Sequence, residues 1–294
     1  MDLQKIKPVI LLAGATGYLG KYIAAELERQ QYKSILLTRN VQKLADIESR
    51  NSKIIETEVT QPKTLKGLFD GAETVVSTVG ITRQKDGLTY MDVDYQANLN
   101  LLNEAQNAGI KKFIYISAIN GQKYRNLKIF EAKERFVDEL KLSGLDYTII
   151  RPNGYFSDMG DFLSMAKSGK VYLFGHGNFK MNPIHGADLA KVCVKAIKSN
   201  EKEINVGGPD IFSQNEIAVL ALKAWSKPLK IIHLSDWIRK VLIWLVRTFT
   251  SVKTYGPIEF FLTLMGDDQI APTYGEHHLE DFYIEEVRKQ KNGF

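Results

Sequence analysis

A single cysteine among 294 residues means that no disulfide can form within this chain. Cys193 lies in LAKVCVKAI, whose apolar spacing is helical, and it reads as a small buried hydrophobe without reactive duty. One thiol, together with an opening MDLQKIK too short and too polar to direct secretion, points to a reducing, cytoplasmic setting. Proline is scarce, with eight in all, and nowhere gathers with serine into a linker. Low-complexity tracts and internal repeats are missing as well. The longest apolar run of the C-terminal part, Val241–Val246, is far too short to span a bilayer. Basic runs never reach five residues and the net charge is a mild +5. That balance excludes a nucleic-acid footprint and favours small anionic ligands such as a phosphorylated cofactor.

What is present is an ordinary globular composition, 44% hydrophobic and 25% charged. A chain of this length buries roughly three quarters of its unfolded surface and needs no metal or disulfide staple. The first half alternates strands with helices. Strand-like apolar runs stand at Val9–Ala13, Ser34–Thr38, Lys53–Glu56, Thr74–Val79, Lys112–Ser117 and Asp146–Arg151. Helical stretches separate them, and Gly109 and Gly144 close those over Tyr95–Ala108 and Leu127–Ser143. Such alternation predicts an α/β fold with a doubly wound parallel sheet, a Rossmann fold, over residues 1–152. After Arg151-Pro152 the rhythm changes. Helices over Ala187–Lys198 and Gln214–Trp225, strands at Glu203–Val206 and Leu229–Leu234, and a final helical region predict a smaller C-terminal α/β lobe over residues 153–294, packed on the first and facing a small-molecule substrate.

The strongest local pattern is PVILLAGATGYLGKYIAAEL. An apolar strand runs directly into Gly14-Ala15-Thr16-Gly17-Tyr18-Leu19-Gly20, and an amphipathic helix follows. Gly14 allows the tight turn, Gly17 lets backbone approach a pyrophosphate, and Gly20 lets the helix pack closely on the strand. The helix N-terminus then offers N–H groups and a positive dipole end to the phosphates. At the end of the second strand an acidic residue would hold the ribose 2′-hydroxyl of NAD. Here the strand ends in Thr38-Arg39-Asn40, with no carboxylate until Asp46. Arg39 can fork onto a 2′-phosphate, with Lys43 one turn on, so the pattern selects NADP(H) over NAD(H).

These residues, with the strand-five YISAI, the lysine of EAKERFVDEL and the IIRPNGYF run, resemble the atypical short-chain dehydrogenases/reductases. The resemblance covers roughly residues 8–210 and is closest to the NmrA-like, isoflavone-reductase-like and divinyl-chlorophyllide-reductase-like branches. It implies further cofactor contacts: Glu58 and Val59 as the acidic-hydrophobic pair near adenine, and Ser77, Thr78, Val79 and Gly80 beside the nicotinamide half. It also implies that Lys133 holds the nicotinamide ribose and that Ser117 stands for the superfamily's serine after strand five. The superfamily's tyrosine, four residues before the lysine on the same helical face, is here Ile129, which cannot donate a proton. Tyr155, just after Arg151-Pro152-Asn153-Gly154, is the candidate substitute donor.

Two functional readings follow from that loss. One is an NADPH-dependent reductase acting on a lipophilic or conjugated small molecule (carbonyl, enone or quinone), with Lys133, Ser117 and Tyr155 at its catalytic centre. The other is a catalytically silent NADP(H)-binding redox sensor or assembly protein, as NmrA-like regulators and a respiratory complex I accessory subunit resemble it. An active-site lysine is expected to add little to core stability. His185, in NPIHGADLA, resembles a segment that lines the substrate pocket, with Asp188 at the N-terminal end of the next helix. His277-His278 and the glycine-flanked His176 lack the companions of a metal site. The segment over residues 236–250, DWIRKVLIWLVRTFT, is a basic amphipathic helix. It reads either as a lid packed on the lobe or as a peripheral membrane contact.

Overall fold

In the computed structural model, which describes residues 7–47, 50–81 and 87–292, the chain opens with β1 (Ile10–Ala13), α1 (Tyr18–Arg29), β2 (Ser34–Thr38), β3 (Ser52–Glu56) and β4 (Thr74–Ser77). The first six residues of the MDLQKIK opening lie outside the described residues. Then come α2 (Asn98–Asn107), β5 (Lys112–Ile116), α3 (Lys128–Leu142), β6 (Asp146–Pro152), α4 (Gly160–Lys167), β7 (Val171–Phe174), β8 (Lys180–Met181) and α5 (Gly186–Ala196). The chain ends with β9 (Glu203–Val206), β10 (Phe212–Ser213), α6 (Gln214–Ala224), β11 (Ile231–Leu234), α7 (Asp236–Phe249), α8 (Val252–Leu264) and α9 (Leu279–Lys291).

Two compact units result. The first comprises Met1–Ser117, Gly121–Arg151 and Leu189–Ile204; the second comprises Ala118–Asn120, Pro152–Asp188 and Asn205–Phe294. The second half of the chain thus returns most of α5 and the start of β9 to the first unit.

A seven-stranded sheet runs in the order β3-β2-β1-β4-β5-β6-β9. Strands β1, β2, β4 and β5 are buried at every position, without alternation. Continuous apolar strands of that kind require a cover on both faces, which parallel pairing with helical crossovers provides. Register is parallel throughout the centre, with Leu11 beside Ile35 on one side and Val75 on the other. The strand order reverses between β1 and β4, the switch point at whose carboxyl ends ligands bind in open α/β sheets. This is the doubly wound Rossmann fold expected from the sequence. All six apolar runs form strands, and Glu203–Val206 adds a seventh beside β6, with Ile149 N donating to Lys202 O at 2.8 Å.

One helix differs from its sequence pattern. The helical stretch expected from Tyr95 starts at Met91, as a π-helical segment Met91–Ala97 that runs into α2. Gly109 and Gly144 stand at φ +69° and +79° just past the ends of α2 and α3, the left-handed geometry their glycines permit.

In the second unit β7 pairs with β11 in parallel and β8 with β10 antiparallel. Its core gathers Phe156, Phe162, Leu173, Ile217, Leu222 and Tyr283. Helix α6 starts on a capping box in which Ser213 and Glu216 exchange hydrogen bonds. The buried Asn182 amide accepts from Ala271 N at 2.9 Å and donates to Ala271 O at 2.8 Å, tying the segment after α8 to the unit.

Candidate dinucleotide site

The glycine-rich turn has the shape its residues predict. Gly14 stands at φ +84°, and a Cβ there would meet Thr78 Oγ1 at 2.5 Å. A Cβ on Gly20 would lie 2.1 Å from Gly14 O, so only glycine lets α1 approach the turn this closely. Gly17 is the N-cap of α1; no side chain caps it and no acid occupies the first turn. Its exposed backbone is a cradle that a diphosphate fits, with the helix dipole pointing at it. Thr16 and Tyr18 are half-buried beside it, and Leu19 packs inward. Thr78 locks the turn to the next strand: its hydroxyl donates to Ala13 O at 3.1 Å and Gly14 O at 3.2 Å.

Beyond β2 the chain turns through Asn40, whose side chain accepts from Gln42 N at 2.9 Å and starts a short 3-10 helix over Val41–Leu44. Arg39 and Lys43 are both exposed on this turn, and no carboxylate side chain ends the strand. Glu58 and Val59 follow β3, half-buried, and Val59 O is held by Asn100 Nδ2 at 3.1 Å.

The end of β4 is organised by Asn98. Its amide accepts from Ser77 Oγ at 2.6 Å and donates to Val79 O at 3.1 Å, which fixes the Ser77–Gly80 segment. The π-helical segment before Asn98 carries Asp94, fully buried. Lys133 Nζ, on α3, lies 2.8 Å from Asp94 Oδ1, and Ile81 N donates to Oδ2 at 3.2 Å. A Cβ on Gly80 would stand 2.6 Å from that carboxylate oxygen and 2.8 Å from the ammonium, so the pair abuts the β4 end. Burial pushes the Asp94 carboxyl above its ordinary range, against the pull of Lys133. The ammonium also lies over the ring of Tyr115, 5.7 Å from its centroid. Lys133 is therefore a fixed cation, 12% exposed, and not a solvated helix charge.

Four residues earlier Ile129 is buried, and the phenol of the usual active site has no counterpart there. Ser117 is buried too, and its hydroxyl donates to Glu134 Oε1 at 3.0 Å. Glu134 in turn faces Arg151, whose Nη2 reaches Oε2 at 2.9 Å, and accepts from Gln122 Nε2 at 2.7 Å. Arg151 Nε continues to Glu203 at 3.0 Å. Ser117 thus belongs to a buried ionic cluster that leaves its proton already engaged.

Tyr155 lies in the second unit, half-buried, bridged to Ile184 next to His185. The His185 ring stacks on His277 at 4.2 Å, and burial, with the second imidazole beside it, holds its pKa below the usual value. His277 Nδ1 lies 2.9 Å from the buried Asp188 carboxylate, whereas His278 pairs with Asp210 at 2.7 Å. His176 is exposed in its loop, and its carbonyl accepts from Asn215.

Asp94, Asn98, Glu134 and Arg151 escaped the sequence reading. A signal existed for two of them. Glu134 continues the apolar stripe of Phe130 and Val137, and Asp94 the stripe of Tyr90 and Ala97. A charge on a buried stripe requires a partner.

A family model described as NAD(P)H-binding matches residues 14–200. The divinyl chlorophyllide a 8-vinyl-reductase of Arabidopsis thaliana, a chloroplastic protein, is 28% identical over 97% of this chain and 78% of its own. The photosystem II assembly factor Ycf39 of Synechocystis is 27% identical over 64% of this chain and 58% of its own. Among solved structures, the NADPH-dependent quinone oxidoreductase QOR2 of Escherichia coli, complexed with NADPH, superposes with a TM-score of 0.69 at 16% identity, covering 96% of this chain and all of that one. At that identity the likeness is one of fold.

Proposed function

Because the chain belongs to the NAD(P)H-binding family and is an atypical short-chain dehydrogenase/reductase, we propose that it is an NADPH-dependent reductase of a lipophilic, conjugated small molecule. Within the class of carbonyls, enones and quinones, the relatives named as 8-vinyl-reductases favour an activated C=C acceptor. The observation that carries the reading is the Lys133 ammonium, fixed by buried Asp94 against the end of β4 while the tyrosine position holds Ile129.

Bound NADPH supplies the hydride. The cradle at Gly14–Gly20 holds the diphosphate, and Arg39 with Lys43 selects the 2′-phosphate. Glu58 and Val59 would hold the adenine end, and Ser77, Thr78, Val79 and Gly80 the nicotinamide half. Lys133 holds the ribose and keeps a positive charge beside the acceptor, which favours electron density arriving there. Ser117 stands at the superfamily's serine position with its hydroxyl given to Glu134, and Tyr155 is the candidate proton donor. Reduction of an activated C=C needs only one weak acid for the second carbon, so the missing phenol at position 129 is no obstacle.

A second reading, a silent NADP(H)-binding sensor or assembly protein, is favoured by two observations: Ile129 removes the phenol, and Glu134 engages the Ser117 hydroxyl. The relatives named as assembly factors fit it. NADPH oxidation measured across enones, quinones, vinyl-substituted conjugated rings and carbonyls separates the two. Turnover of any of these supports the reductase; tight NADPH binding with no turnover on all of them transfers the assignment to the sensor.

A further inference from the structure

Helix α7 has no buried residue, although ten of its fourteen positions are aliphatic, aromatic or threonine with an internally satisfied hydroxyl at Thr248. Trp237, Trp244 and Phe249 are exposed at 64%, 61% and 72%, with Val241 and Leu245 between them. These residues share one side of the helix at its 3.6-residue period. The opposite side faces α8: Arg239 Nη1 donates to Leu262 O at 2.9 Å, and Arg247 lies 3.3 Å from the buried Glu259. The apolar side is therefore not the packed face of a lid within the second unit. It is large, aromatic and continuous with Val252 and Ile258 on α8, both also exposed.

We propose that this face docks on an anionic lipid bilayer surface. Charge chooses that occupant over a second copy of the chain. The α7–α8 hairpin carries Arg239, Lys240, Arg247 and Lys253 against only Asp236 and Glu259, and both acids are ion-paired. Lys240 is 71% exposed on the edge of the apolar side, and Lys253 is exposed beyond it. A cationic rim complements lipid phosphates and repels its own duplicate. The tryptophans agree with it, since indole prefers the headgroup level, where its ring is buried and its N–H stays wet. No helix among the described residues is long and apolar enough to cross a membrane, so the contact is one of lying on the surface.

Co-sedimentation of the full chain with phosphatidylglycerol–phosphatidylcholine vesicles, against pure phosphatidylcholine vesicles, tests the proposal. Binding to the mixed vesicles, weakened by salt and much lower on phosphatidylcholine alone, is the expected result. Trp237→Ser with Trp244→Ser should lower that binding by at least about tenfold while NADPH binding stays at the parent level. Should that pair fail to fold, Lys240→Gln with Lys253→Gln supplies the test, with a loss of about fivefold per charge. Absence of binding to the mixed vesicles at low salt overturns the proposal. So does binding unchanged in the variants, or a dimer in sedimentation equilibrium that Trp237→Ser with Trp244→Ser converts to monomer.

Discussion

Lys133 Nζ stands 2.8 Å from Asp94 Oδ1, and the carboxylate is fully buried while the ammonium keeps 12% of its side chain exposed. The two residues come from different helical segments and meet against Gly80, where the β4 strand has just ended. An isolated buried carboxylate is costly, so Asp94 needs the lysine; the lysine in turn is held by Asp94 at one place and cannot sweep the solvent. The pair therefore places a fixed cation at the carboxyl end of the sheet. It also makes the lysine part of the fold's stability, contrary to the expectation that its removal leaves the core unaffected.

Two effects of Lys133→Ala follow. Turnover should fall by roughly 10²–10³, the loss expected for a group proposed to stabilise developing charge. Unfolding free energy should fall as well, by about 3 kcal/mol, because a buried partner is left unpaired and must take up a proton. Lys133→Met combined with Asp94→Asn should restore stability in urea titration without restoring turnover. A single Lys133→Ala variant with wild-type rate on an accepted substrate would remove the lysine from the chemistry.

Arg39 tests cofactor choice. It stands exposed just past β2, where NAD-binding relatives of this fold carry an acid. Arg39→Asp should weaken NADPH binding by about 10–100-fold, the worth of charge-assisted hydrogen bonds to a 2′-phosphate, and leave NADH binding equal or better. Calorimetric titration with both nucleotides reads this directly. NADH preferred by the unmodified chain would end the argument for NADP(H).

Ser117 distinguishes a catalytic serine from a structural one. Its hydroxyl donates to Glu134, which Arg151 holds from the other side. Ser117→Ala should cost about 1 kcal/mol of stability, one hydrogen bond within an otherwise satisfied cluster, and change turnover by only a few fold. Glu134→Ala, by contrast, strands the Arg151 guanidinium and should cost about 3 kcal/mol or more. A hundredfold loss of turnover in Ser117→Ala, with stability intact, would return the serine to the active centre.

The contrast between these residues shows what a single sequence makes legible. Gly14 and Gly20 announce the cradle because the positive φ of the one and the close approach of the other's helix to it are demands of the same short turn. The strands are legible for a similar reason: burial on both faces leaves an unbroken apolar run, and β1, β2, β4 and β5 carry it. Partnerships over long separations are not legible in that way. Lys133 and Asp94 lie far apart along the chain, and nothing at either position names the other. Only the intrusion of a charge into an apolar stripe marks Asp94 and Glu134 as paired, and such a mark says that a partner exists without saying which. The π-helical start at Met91 is hidden for a third reason: Tyr90, Asp94 and Ala97 keep the four- and three-residue spacing of an α-helix, so nothing in the pattern marks the wider turn.

The last prediction concerns acid. Glu203 opens β9 and receives Lys141 at 2.5 Å and Arg151 Nε at 3.0 Å. Burial alone would raise its pKa, but the hydrogen bonds and charges of Lys141 and Arg151 outweigh it and hold the carboxyl below its ordinary 4.5. With the folded pKa depressed, the unfolded chain binds the proton more readily in that range. The stabilisation is therefore present in full above pH 4.5 and is lost as the pH falls through the lower folded value. Its size is modest, because the Glu203 side chain is 38% exposed and water screens the pair. Glu203→Gln should remove this part of the acid sensitivity. Urea midpoints measured from neutral pH downward should show the parent losing stability below pH 4.5 more steeply than the variant, with the gap between the two curves closing as the acid is titrated. Parallel curves through that window would mean that Lys141 and Arg151 do not hold the carboxylate in solution.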